Sequence, residues 1–196
     1  RCPWLGGRAM GGSLCPDDGQ ANPRLVSPAF ALAAKRAGAQ ILERTPMTSV
    51  EHDGQLFTVR SGTTVAVRAP VLINCAGAWA GALAAQFGEA VPIHSGHPAM
   101  AVTEPLPFFM HWSLGVEGGG IYCRQVARGN LVLGGGAGVA LDADRARSER
   151  SAIATLAVQA VELLPALKNA HFIRTWSGTE GLSLIHISEP TRQAEI

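Results

Sequence analysis

Tyr122 is the only tyrosine in the chain of 196 residues, and Arg124 follows it by two positions. Residues 121–125 have the pattern of a strand, in which side chains two positions apart point to the same face. A phenol and a guanidinium directed into one cavity could hold a carboxylate or a polar amine. A structural tyrosine on a packed face beside a solvated arginine would explain these residues equally well.

The other patterns that could carry chemistry are incomplete. A G-x-G-x-x-G beginning at Gly134 would need a glycine where Val139 stands, so we interpret the glycines of 134–138 as the exit of a hairpin. His94 and His97 have no third ligand at a suitable spacing, and we expect no metal site. The chain has neither a P-loop lysine motif nor a G-x-S-x-G turn, so phosphoryl transfer and acyl transfer are unsupported.

Residues 71–88 have the pattern of a strand that turns directly into a helix. The apolar run 71–73 predicts a buried strand, and residues 79–87 follow a helical pattern that Gly88 ends. Such a corner directs main-chain N–H groups and a positive helix end at one small space, which suits phosphates. An ordinary turn of an α/β domain is the alternative.

The remaining segments form two regions with different sequence patterns. In the first, we predict a helix capped by Ser27 and stopped by Gly38, a strand over 40–44 and a hairpin around Asp53-Gly54. In the second, a proline-rich stretch from Val91 precedes a hairpin in which 121–125 pairs with 131–133. An apolar stripe from 153 to 164 then predicts a helix closed by Pro165, and a last strand begins at His171.

Composition limits the classes of partner and compartment. The net charge of +1 gives no reason to expect nucleic acid or an anionic membrane as a partner, and no apolar run approaches the ~20 residues of a membrane-spanning helix. The four cysteines are scattered without metal-ligand spacing, which is typical of thiols in a reducing compartment such as the cytoplasm.

Both ends of the chain differ from those of a complete domain. The sequence opens at Arg1 without an initiator methionine, and we expect it to be the interior of a longer protein. Residues 182–196, LSLIHISEPTRQAEI, resemble the translation of a sequencing-library adapter. We interpret them as a non-native tail and assign them no role in fold or function.

The order of the motifs resembles a known family. DGQANP, VLINCAGAWA, GIYCRQ, GNLVLGG and RTWSG follow one another as in the flavin-dependent amine oxidoreductases of the D-amino-acid oxidase family, which includes glycine and sarcosine oxidases. The resemblance covers residues 10–181. GHPAMAVTEP, GGIYCRQVARGN and WSGTEG are most similar to subunits of hydrogen cyanide synthase and of octopine/nopaline oxidase, and to β-type proline dehydrogenases.

The resemblance implies a bound FAD and two segments that contact it. The residues that match the family's cofactor contacts are Asn74, Cys75, Ala76, Gly77, Trp79, Trp176 and Gly178. The family's G-x-G-x-x-G, which receives the pyrophosphate, would precede this chain. We therefore expect residues 1–181 alone to be inactive and not to retain FAD.

The resemblance also implies the substrate residues. Tyr122 matches the family's substrate-pocket tyrosine. Together with Glu180 and with Arg124, which strand alternation places on the same face, it forms the set that we expect to act on the substrate. Glu180 is a departure, since amino-acid oxidases of this type often carry an arginine there that binds the substrate carboxylate. A carboxylate at 180 would repel an α-carboxylate or attract an amine or guanidino group. Opine, proline or glycine-to-cyanide chemistry is thereby favoured over glycine or D-amino-acid oxidation.

The predicted fold is mixed α/β (α+β), with part of a Rossmann-like FAD-binding domain interleaved with an antiparallel-sheet substrate domain. The predicted boundaries are 1–26 for a connector at the edge of the substrate domain, 27–90 for part of the FAD-binding domain, 91–175 for the substrate domain, 176–181 for the return to the FAD-binding domain and 182–196 for the tail.

The reaction that the resemblance implies is hydride transfer to FAD from the carbon beside an amine nitrogen, which gives an imine. We expect a small amine or amino acid as substrate and partner subunits of a hetero-oligomeric dehydrogenase, through which the protein could be peripheral to the inner membrane. A flavoprotein of the same fold with a non-amine substrate and a non-catalytic nucleotide-binding module are the alternatives.

Overall fold

The computed structural model describes residues 2–7, 9–118 and 120–183, and this part of the chain forms two compact units. One unit is Gln20–Cys75, and the other combines the described residues before and after it. The structure has the predicted mixture of helices and antiparallel sheets.

The unit Gln20–Cys75 begins with helix α1, Pro23–Arg36. The predicted start at Ser27 is wrong, because the side chain of Asn22 caps the helix instead by accepting a hydrogen bond of 3.1 Å from the main-chain N of Arg24. Asn22-Pro23 offers the same cap-and-proline signal as Ser27-Pro28 and occurs earlier, so the helix gains an extra turn. Gly38 follows the helix with φ +92°, as predicted.

A three-stranded antiparallel sheet completes this unit. Its strands are β1 (Ser49–His52), β2 (Phe57–Ser61) and β3 (Thr64–Ala69), in that order across the sheet. The predicted hairpin around Asp53-Gly54 is confirmed: Gly54 has φ +95°, and Asp53 Oδ1 accepts hydrogen bonds from the main-chain N atoms of Gln55 and Leu56.

Two predicted strands of this unit are wrong. Residues 40–44 are irregular, with a turn at Arg44 (φ 55°), and residues 71–76 have no regular structure. In the described part of the chain neither segment pairs with a strand, and extended backbone becomes a strand only by hydrogen bonding to a neighbour. Ile73, expected in a core, is 78% exposed.

The second unit is built on a five-stranded antiparallel sheet. Its strands are β5 (Pro98–Pro105), β6 (Leu114–Gly115), β7 (Tyr122–Gln125), β8 (Asn130–Ala137) and β11 (Phe172–Ser177). They lie in the order β11-β5-β8-β7-β6 across the sheet. Two ribbons lie outside this sheet, one of β4 (Ile93–Gly96) with β12 (Glu180–Ser183) and one of β9 (Val139–Ala140) with β10 (Ala146–Arg147).

One face of the five-stranded sheet forms the core of this unit. Helix α3, Arg150–Leu163, packs on it through the predicted apolar stripe, of which Leu156 and Ala160 are fully buried. The sheet residues that share this core are Ala101, Ile121, Cys123, Leu131 and Leu133. Burial raises the pKa of the Cys123 thiol to about 12, so it is neutral at physiological pH.

The predicted hairpin of β7 and β8 is confirmed, with Gln125 opposite Leu131 and Cys123 opposite Leu133. Gly129 takes φ +92° in the turn. Gly134, Gly135 and Gly136 belong to strand β8, so the interpretation as a hairpin exit holds and no dinucleotide loop forms there.

The buried carboxamide of Gln125 ties the chain before this hairpin to the turn. Its Oε1 accepts hydrogen bonds from the main-chain N atoms of Phe109 (2.9 Å) and Met110 (3.1 Å), and its Nε2 donates to the carbonyls of Pro107 and Gly129, each at 3.0 Å. This anchor satisfies the backbone groups of an irregular segment that no strand pairs with.

The predicted tail lies partly within the structure. Leu182 and Ser183 belong to β12 and pair with His94 and Ile93, whereas residues 184–196 lie outside the described residues. Among the helices that the structure describes, none has the length and apolarity needed to cross a membrane.

Candidate active site on the open face of the sheet

A row of four residues crosses the face of the sheet opposite α3. Trp176 of β11 pairs with Met100 of β5, Met100 pairs with Gly134 of β8, and Gly134 pairs with Tyr122 of β7. Residues directly opposite one another in an antiparallel sheet point to the same face. The row is therefore a continuous surface built from four strands, and we call it the cross-strand row.

The phenol of Tyr122 lies along this row. Its hydroxyl donates a hydrogen bond of 3.1 Å to Sδ of Met100, and its ring covers Gly134, where a Cβ atom would overlap the ring. Tyr122 is 40% exposed, so part of the phenol remains accessible from the open face. Glycine at 134 is required for this ring position.

The charges around the phenol have opposite signs. Arg124 lies on the same face of β7 as Tyr122, as predicted, because the intervening Cys123 is buried in the core. Burial and, secondarily, the negative charge of Glu180 raise the pKa of Tyr122, which keeps the phenol neutral. The structure thus places Glu180 within electrostatic reach of the predicted substrate tyrosine.

Arg174 was not predicted from the sequence as a residue of this face. Its guanidinium carbon lies 5.7 Å from the centroid of the Trp176 ring, a cation–π arrangement at the edge of the cross-strand row. The alternation in the segment RTW, which puts Arg174 and Trp176 on one face of a strand, is the signal that could have found it.

The first predicted cofactor segment is a tight corner rather than the end of a strand. A 3₁₀-helix, Gly77–Trp79, leads into the short helix α2, Ala80–Ala85, and Gly77 has φ +56°. Nothing lies within 4 Å of the position of a Cβ at Gly77, and Trp79 is 46% exposed. Asn74 and Cys75, both exposed, end the other unit of the chain, and Ala76 follows them.

The second predicted cofactor segment is rich in unsatisfied polar atoms. Ser177 Oγ and Thr179 Oγ1, on either side of Gly178, are buried without a hydrogen-bond partner, as is Nδ1 of His97. No atom lies within 4 Å of a Cβ position at Gly178. Buried polar atoms normally have partners, and the open space and unpaired groups fit a polar cofactor edge at this segment. The residues present are therefore compatible with a bound FAD, which the segments 76–79 and 176–178 of this unit would hold.

A metal site requires several His, Cys, Asp or Glu side chains that lie close together. Within the described residues, no three side chains of His, Cys, Asp or Glu come together in a way that could hold a metal ion.

Comparison with known proteins identifies the family. Residues 1–190 match the family described as DAO, FAD dependent oxidoreductase. The chain is 30% identical to the beta subunit of sarcosine oxidase from Arthrobacter sp over 173 residues, which is 86% of this chain and 42% of that protein. It is 29% identical to the HcnC subunit of hydrogen cyanide synthase from Pseudomonas aeruginosa, over 84% of this chain and 39% of that protein.

The fold agrees with this match. The crystal structure of glycine oxidase from Geobacillus kaustophilus superposes with a TM-score of 0.73 at 20% identity, covering 91% of this chain and 48% of that one. The chain therefore spans less than half the length of these relatives. Its sequence match and its fold together show that the chain belongs to the DAO family of FAD dependent oxidoreductases.

Proposed function

We propose that the protein containing this chain is an FAD-dependent dehydrogenase or oxidase of a small amine or amino acid. Bound FAD, held by segments 76–79 and 176–178, would supply an acceptor for a hydride from the carbon beside the substrate nitrogen, and water would hydrolyse the resulting imine. Since the chain spans less than half of its relatives, this activity is a proposal for the whole protein.

The accessible phenol of Tyr122 on the open sheet face is the observation that carries the proposal. Arg124 lies on the same strand face as Tyr122. The cross-strand row ends at Trp176, the first residue of the predicted cofactor segment 176–178. A substrate held against Tyr122 would thus lie beside residues expected to contact FAD. Hydride transfer requires the substrate C–H bond to be held in the correct orientation toward the cofactor, and a contact with Tyr122 would contribute to that orientation.

The residues of this chain bind, orient and select the substrate. The reaction needs a C–H bond directed at the cofactor and a neutral amine, and no dedicated acid or base is required from these residues. Glu180 favours substrates with a positively charged or donor group near Tyr122 and disfavours a carboxylate there.

We further propose that the protein works with partner subunits. Two of its relatives, the sarcosine oxidase and hydrogen cyanide synthase proteins, are by name subunits of larger enzymes. Copurification of the full-length protein with products of neighbouring reading frames would test this.

The decisive experiment is anaerobic reduction of the flavin in the full-length protein. Glycine, proline, sarcosine and opines are added in turn, and loss of the oxidised flavin absorbance is recorded. We expect at least one of these amines to bleach the flavin. Bleaching by an alcohol and by none of the amines would assign the protein to a non-amine substrate.

A Tyr122→Phe variant tests the site. We expect kcat/KM for the best amine to fall while the flavin content stays at the wild-type level, because the phenol lies on the face that we propose to bind the substrate. Equal loss of flavin and of activity would instead assign Tyr122 to folding.

A further inference from the structure

We propose that Met100 is a specificity-determining residue. Its sulfur accepts the hydrogen bond that the Tyr122 hydroxyl donates, so that the phenol oxygen accepts hydrogen bonds from a substrate N–H group and does not donate to a carboxylate. This inference rests on the proposed function for its substrate, and it deepens that function by naming the group that binds at Tyr122. It concerns a residue of β5 that is distant in sequence from the tyrosine it controls.

The register of three strands creates the contact. Met100 and Tyr122 both pair with Gly134, from opposite sides of β8, so the two side chains meet across a strand that lacks a side chain at this position. A Cβ atom at 134 would overlap the phenol ring and prevent the ring from lying across β8. Glycine at 134 thus lets the Tyr122 hydroxyl reach the Met100 thioether at 3.1 Å.

The direction of this hydrogen bond determines what the phenol can recognise. A thioether sulfur has no proton and can only accept, so the Tyr122 hydroxyl must be the donor. A phenol has a single proton, and once this is directed at sulfur the oxygen has only lone pairs left for a ligand. The exposed part of the phenol is therefore an acceptor site.

The charge of Glu180 favours the same kind of ligand, whereas Arg124 on the same face of β7 carries the opposite charge. The charge of Glu180 acts on the Tyr122 phenol, so a carboxylate placed there would meet lone pairs and a negative charge together. An ammonium, amine or guanidinium N–H would meet an acceptor and a favourable charge. The hydrogen bond to Met100 thus favours an N–H donor, and this group is the ligand class that we assign to the Tyr122 subsite.

A Met100→Leu variant of the full-length flavoprotein tests the proposal. Leucine nearly preserves the volume but removes the acceptor, and the freed hydroxyl can donate to an anion. Acetate and methylammonium are titrated against the oxidised protein, and dissociation constants are read from the perturbation of the flavin spectrum. We expect the affinity for acetate relative to methylammonium to rise about fivefold, the equivalent of roughly one neutral hydrogen bond.

Two further variants keep the test specific. Gly134→Ala should shift the same ratio in the same direction, because the added methyl group displaces the ring from Met100. Met110→Leu makes the identical chemical change at a fully buried core methionine and should leave the ratio unchanged. An unchanged ratio in both Met100→Leu and Gly134→Ala, or an equal change in Met110→Leu, would overturn the proposal.

A second measurement does not depend on any substrate. The ionisation of Tyr122 is followed at about 295 nm as the difference between each protein and the same protein with Tyr122→Phe. A hydrogen bond donated by the phenol stabilises its neutral form, so Met100→Leu should lower the pKa of Tyr122. If no amine reduces the flavin but this pKa falls and the ligand ratio shifts, the proposed function fails and the Met100 inference stands. An unchanged pKa contradicts the inference alone.

Discussion

Gly181 lies directly against the main chain of Ala78: a Cβ atom at position 181 would stand 2.8 Å from both the Cα and the N atom of Ala78. Strand β12 therefore packs on the Gly77–Trp79 corner with no room for a side chain between them. This contact brings the first predicted cofactor segment close to the strand that follows the second one, although about a hundred residues separate them in the sequence.

Gly181→Ala should destabilise this arrangement. The added methyl group meets backbone atoms, which cannot rotate away, and overpacking of this kind costs about 1–3 kcal/mol. We expect a lower free energy of unfolding in urea and weaker flavin retention in the full-length protein. Gly19→Ala is the matched control, since no atom lies within 4 Å of a Cβ there. Equal stability of the two variants would contradict a close contact between Gly181 and Ala78.

The exposed thiol of Cys75 gives a direct test of the predicted cofactor residues. In FAD-free full-length protein, iodoacetamide at about pH 8 should modify Cys75, and added FAD should slow this reaction severalfold if the segment 74–79 contacts the cofactor. Cys15, also exposed, should react at the same rate with and without FAD. Mass spectrometry of the peptides measures each rate. Cys75 labelling that is insensitive to FAD would remove Asn74 and Cys75 from the cofactor site.

The same labelling experiment checks the core. Cys123 is buried, and its pKa of about 12 leaves almost no thiolate at pH 8. We expect it to react only after the protein unfolds.

Gln125→Leu should be among the most destabilising single changes in the sheet. It removes the hydrogen-bond partners of the Phe109 and Met110 amides and of two carbonyls, and each buried group left unsatisfied costs about 1–3 kcal/mol. The free energy of unfolding should fall by about 3 kcal/mol or more, measured by urea denaturation. Gln86→Leu, at an exposed position, should change it by less than about 0.5 kcal/mol.

The pair of Glu104 and His171 predicts a pH dependence on the acid side. Oε1 of Glu104 lies 2.9 Å from the ring Nδ1 of His171 and 3.0 Å from its main-chain N, and these hydrogen bonds, the ring contact first, lower the pKa of Glu104 below its ordinary 4.5. A carboxyl whose pKa is lower in the folded state adds stability above its unfolded pKa, and this is lost as the pH falls through the folded value.

The test compares wild type with Glu104→Gln. The urea midpoint of wild type should exceed that of the variant near about pH 6, and the difference should shrink as the pH falls below 4.5. Glu89→Gln, at an exposed position, serves as the control. A difference that stays constant down to about pH 2.5 would mean that Glu104 contributes no such pH-dependent stability.

Features encoded by neighbouring residues were predicted well from the sequence. The two hairpins follow from Asp53-Gly54 and from the turn at Gly129, where glycine takes a positive φ, and α3 follows from its apolar stripe. Each of these signals acts within a few residues, so it keeps its meaning whatever the rest of the chain does.

The wrong predictions share a different cause. Residues 40–44 and 71–73 have the composition of strands, but no described strand pairs with them, and hydrophobic pattern cannot supply a hydrogen-bonding neighbour. The start of α1 was misplaced because two cap-and-proline signals lie five residues apart and propensity does not decide between them.

The sequence by itself determined the family, through its ordered motifs, and the shared face of Tyr122 and Arg124, through the two-residue period of a strand. Only the tertiary structure decided that Met100 and Gly134 lie beside Tyr122, because the register between strands depends on backbone pairing and on bulges such as those between β5 and β8. Those are interactions between segments far apart in the chain, and no local pattern records them.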